Sequence, residues 1–130
     1  MTALPMSKVV LVADTGDARL SGILAGYSLH FVRTLEEARA ALGARTFDLV
    51  VIGVHFDESR MFDLLRHVRG QERHRATPVV CVLTLDFTRY AVAAEGLEIA
   101  VKALGGTAYL DLKASGDGEV RRAIEDLLGA

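Results

Sequence analysis

One cysteine is all that this 130-residue chain carries. Cys81 has no internal partner, so a disulfide framework is excluded. It lies inside the apolar run PVVCVL and reads as a buried core thiol, not a reactive one. No apolar stretch reaches the length of a membrane-spanning helix, and the N-terminus lacks a signal-peptide pattern. The expected location is the cytoplasm, with no membrane partner. Positive charge is not in excess: the net charge is −2, which leaves no overall basic field to hold nucleic acid. The local cations His67, Arg69, Arg73, His74 and Arg75 read as a solvated helix end and loop. The chain also lacks a Gly-x-Gly-x-x-Gly fingerprint, a zinc-spaced Cys/His cluster and a nucleophile–base–orienter set. Hydrolase and metalloenzyme readings lose their support.

What is present is a well-mixed globular composition, 51% hydrophobic and 25% charged. It predicts a single domain over residues 8–130 behind a loose tail at 1–7. Short apolar runs alternate with helical periodicity. Strands are expected at 9–13, 28–32, 47–54, 79–83 and 107–112. Helices are expected at 18–25, from Thr34, around Phe62, Leu65 and Val68, over 87–104, and after Asp117. Thr34 and Glu37 form a capping-box pattern, Gly70 is the expected stop of the third helix, and Asp117 is the expected cap of the last. Five strands alternating with five helices imply a parallel sheet covered on both faces.

Residues 47–69, FDLVVIGVHFDESRMFDLLRHVR, are the most specific stretch. With ALGGTAYL near the fifth strand, they resemble the receiver domains of response regulators. The resemblance runs from Lys8 to Leu128. It implies the flavodoxin-like (CheY-like) doubly wound fold, strand order 2-1-3-4-5. It also implies two-component or phosphorelay signalling, in which a histidine kinase phosphorylates an aspartate at the end of strand three. That acceptor lies five residues after the match of Asp48, which is Gly53. Glycine offers no carboxylate, so the position reads as a vacancy.

The rest of the receiver equipment is also degraded. At the acidic pair stand Ala13 and Asp14. The strand-four hydroxyl is Thr84, one residue late. At the lysine position stands Leu112, with Lys113 one residue beyond. Tyr109 matches the strand-five aromatic that changes rotamer in working receivers. No metal or other cofactor is expected. Asp14 with Asp57 is the one weak Mg²⁺ pair, although Asp57 and Glu58 read first as solvated loop acids. His55 reads as a solvated loop histidine and His30 as a surface strand residue.

The helix over 87–104 carries an unusual second face. Phe87, Tyr90, Ala94, Leu97, Val101 and Leu104 make the stripe expected on the sheet. Val92, Ala93, Gly96, Ile99, Ala100 and Ala103 widen the apolar arc beyond half the circumference. In receivers the fourth helix, fifth strand and fifth helix form the face used for dimerisation and output. The expectation is a degenerate receiver that binds a protein: a histidine kinase, an output protein, or a second copy through this helix. Two alternatives stand beside it. One is phosphorylation on an unaligned carboxylate, Asp14, Asp57 or Asp86. The other is a small-ligand binder of the same topology, disfavoured because Asp14-Thr15-Gly16-Asp17 sets two acids where a flavin phosphate would sit.

Overall fold

The computed structural model describes residues 8–14, 18–54, 56–83 and 91–129. Five strands form one parallel sheet: β1 Val9–Ala13, β2 Ser28–Val32, β3 Leu49–Gly53, β4 Val79–Leu83 and β5 Ala108–Asp111. Their order is β2-β1-β3-β4-β5. This is the predicted flavodoxin-like arrangement. The helices are α1 Ala18–Ile23, α2 Leu35–Ala44, α3 Phe56–Ser59, α4 Met61–Gly70, α5 Ala91–Ala103 and α6 Asp117–Leu128, with a 3₁₀ turn at Glu72–His74. The one-turn α3 was not foreseen. It is too short to show periodicity.

β3 and β4 are buried at every position, which explains why their sequences do not alternate. Successive side chains feed two separate cores. On one face Leu11, Val50, Ile52 and Cys81 pack with Leu42 of α2, Leu65 and Val68 of α4, and Val101 of α5. On the other, Val10, Val12, Val51 and Val82 pack with Leu20 of α1 and Val120 and Ile124 of α6. Each fully buried aliphatic side chain contributes about 2 kcal/mol. Burial also raises the Cys81 thiol to about 12, so it stays protonated and inert.

Three capping expectations change in detail. Thr34 Oγ1 accepts from the Glu37 amide at 3.1 Å, as predicted. The Glu37 carboxylate, however, accepts from the amide of Arg33 at 2.9 Å, closing one residue earlier than a standard box. Gly116, not Asp117, precedes α6. Asp117 is its first helical residue, and its carboxylate pairs with Arg19 at 2.6 Å. Gly70 ends α4 from inside, and Gln71 is the extended residue that follows.

Of the solvated helix end and loop expected at 67–75, Arg73 and Arg75 are exposed as expected, but His74 and Arg69 are not free in solvent. His74 is fully buried, its Nε2 3.1 Å from the Leu42 carbonyl and its ring tilted against Phe47. A buried imidazole needs such a partner. Arg69 is a clasp: it donates to the carbonyls of Gly105 at 2.7 Å, Thr77 at 2.7 Å and His74 at 3.1 Å. It thereby joins the loops before β4 and β5. Gly105 accepts this neighbour at φ +98°, where a Cβ would press on the Arg69 side chain at 3.0 Å.

Candidate functional site

All five strands run the same way, so their C-terminal ends share one edge, the usual place for a site in such a sheet. The ladder continues past the strand ends there. The Asp14 amide donates to Val32 at 3.2 Å, that of Val54 to Val82 at 2.9 Å, and that of Leu112 to Leu83 at 3.0 Å. Asp14, Gly53 and Leu112 are therefore placed by backbone hydrogen bonds.

Gly53 closes β3 as expected, but the space above it is filled. A Cβ built on Gly53 would overlap Asp14 Oδ1 and lie 3.1 Å from its Cγ. The Asp14 carboxyl group, 5% exposed, takes the volume in which a residue-53 side chain would begin. The expected vacancy is corrected on this point. The sequence could not show it, because Asp14 and Gly53 meet only when β1 and β3 pair.

The other aligned positions disperse. Ala13 is buried in the core under α2 and α4. Leu112 is buried on the opposite face, against α1 and α6. Lys113 is exposed in the turn after β5, its amide donating to Asp111 Oδ1 at 2.9 Å. The turn holds a cation with no sequence signal of its own, Arg19. Its guanidinium donates to the carbonyls of Leu112 and, at 2.9 Å, Ser115, besides the pair with Asp117. Thr84, Asp86 and His55 lie outside the described residues.

Asp57 does not act as a solvated loop acid. Its Oδ2 accepts from the Leu35 amide at 2.7 Å, at the N-terminus of α2. A carboxylate is favoured there by the helix dipole. Asp57 holds φ +43°, a left-handed conformation that Asp tolerates better than most residues. No group of three or more His, Cys, Asp or Glu gathers as cation ligands among the described residues.

These residues do not fit the magnesium ion that the receiver fold implies. Mg²⁺ takes octahedral oxygen ligands and keeps several waters. Here residue 53 brings no carboxylate, Ala13 brings none, Asp57 serves α2, and Asp14 lies in the space over Gly53.

Tyr109 is half-buried against the core under α5. Burial raises its pKa, with Asp111, Glu98 and Cys81 adding to the effect. On α5, Val101 is fully buried, and Leu97 and Leu104 pack against the same core as expected. Ile99 is 71% exposed, Gly96 and Ala103 are exposed, and Ala100 is half-buried. The side chains of Val92 and Ala93 lie outside the described residues.

No protein-family model matches the chain, and no curated protein matches its sequence. Solved structures do match its backbone. The signal receiver domain of a signal-transduction histidine kinase from Syntrophus aciditrophicus is 25% identical, over 95% of this chain and 91% of that one, with a TM-score of 0.72. A response regulator from Thermotoga maritima is 19% identical over 95% and 99%, also at 0.72. The receiver domain of a sensor histidine kinase from Pseudomonas aeruginosa, which holds magnesium in its active-site cleft, is 17% identical over 95% and 99%, at 0.70. Strand order, the two-sided core and these likenesses converge: this chain has the fold of a response-regulator receiver domain.

Proposed function

We propose that the protein is a receiver-like module of two-component signalling that is not phosphorylated at its sheet-edge site. It acts by protein contact, not as an enzyme. The observation that carries this reading is the Asp14–Gly53 pair: residue 53 has no carboxylate, and Asp14 lies in its place at 5% exposure. A phosphoryl acceptor must present an oxygen to a phosphohistidine in line with the leaving nitrogen. Asp14 Oδ1 stands where a side chain at 53 would only have its Cβ, which is too deep for that attack. The partner is a histidine kinase, an output protein or a second copy, held on the face of α5, β5 and α6. Exposed Ile99 beside Gly96 and Ala103 supports that choice. No described helix is long and apolar enough to cross a membrane, in keeping with a cytoplasmic module.

A rival reading makes Asp14 itself the acceptor, since its carboxylate is the one found over Gly53. Incubation with acetyl phosphate and Mg²⁺, followed by intact mass, separates the two. The expected result is no added phosphate. One phosphate mapped to Asp14 would establish the rival.

A further inference from the structure

The poor fit to magnesium has a specific local cause. Asp14 is the one carboxylate left at the aligned positions, and it is turned into the sheet edge over Gly53. Any side chain at 53 would collide with it, because real Cβ atoms essentially never approach within 3.0 Å of another heavy atom. Asp14 inward and a side chain at 53 therefore exclude each other. Gly53 is also fixed on the other side, since β3 pairs with β4 at Gly53 and Val82. The backbone cannot retreat without breaking the ladder.

We propose that Asp14 is an internal plug: it closes the sheet-edge site to divalent cations from within, and Gly53 is the space that lets it do so. The inference rests on the reading above that the site takes no phosphoryl group. The loss of the acceptor and the inward turn of Asp14 are then one compensated change. With a side chain at 53, Asp14 must rotate toward solvent, and its oxygens become available to a cation. The device is built from a rotamer rather than from a moving segment.

A double-substitution cycle tests the plug, read by thermal denaturation. Gly53→Ala should act less favourably on the Tm in the parent, where the Asp14 side chain has to turn aside, than in its absence. In the Asp14→Ala background the same change should cost little, since the collision is gone. Equal shifts in both backgrounds would overturn the proposal. Should Gly53→Ala fail to fold, the plug requires that adding Asp14→Ala restores folding, and failure to restore it counts against the plug.

Cation access is read separately by Mn²⁺ broadening of the amide resonances of residues 14 and 53. Folded Gly53→Ala adds no ligand, yet it should respond at about tenfold lower Mn²⁺ than the parent, because Asp14 is released. A parent that responds at the same concentration as the variant would show that Asp14 is a ligand already. Phosphate uptake by the parent at a residue other than Asp14 would sink the functional reading alone, because the cycle reports packing and not chemistry; uptake at Asp14 would sink both.

Discussion

At Tyr109 a phenol oxygen is buried with no hydrogen-bond partner among the described residues. Such a group costs free energy that an apolar replacement does not. Tyr109→Phe is expected to leave stability unchanged or raise it by about 1 kcal/mol in urea denaturation. A clear loss would mean that the hydroxyl is answered in solution. The residue scale is also where sequence reading ran out. Gly53 was legible because spacing from Asp48 locates it. The direction of Asp14 was not, because it depends on a neighbour brought close only by folding. Arg19 and Arg69 were missed or misread for the same reason. Both serve backbone carbonyls distant in sequence, and a carbonyl has no residue type to recognise.

Among the elements, α5 divides its residues between the core and the outside. Val101 is fully buried and Ile99 two positions earlier is 71% exposed. Glu98 and Lys102 pair at 3.6 Å beside this outer strip. Both side chains are well exposed, and such a pair contributes little to stability. Gly96 has open space where a Cβ would stand, so glutamate fits there without strain. Gly96→Glu with Ile99→Glu should leave the circular dichroism spectrum and the fold intact. If a second copy is the partner, sedimentation should show concentration-dependent dimers for the parent and monomer for the variant. A parent that stays monomeric at every concentration would strike self-association from the partners. Strand and helix types were readable here because the core faces repeat at periods of two and 3.6. The ends were less so: Phe47 and Val54 are buried like strand residues but lie beyond the bounds of β3, Leu49–Gly53.

For the whole molecule, one pH dependence comes through His67, a partly buried residue of α4. Burial lowers its pKa below 6.5, and the nearby charges of Arg39 and His74 lower it further. As pH falls below that value the unfolded chain takes up the proton before the native one does. Stability is therefore lost on acidification, starting near the unfolded pKa. Urea midpoints should be lower at about pH 5.5 than at about pH 7.5, and His67→Gln should narrow the difference. An unchanged difference would assign the acid sensitivity elsewhere. Topology itself was legible, because alternating strands and helices with short connections leave few arrangements for a parallel sheet.

The Arg19 contacts join α1 to the turn before α6, 98 residues away at Asp117. Val120, Ile124 and Leu128 of that last helix also seal the sheet face beneath α1. During synthesis, then, the part of that sheet face not covered by α1 stays wet until residues 117–128 have left the ribosome. Nascent chains halted before that point should be sticky, protease-sensitive and in need of a chaperone.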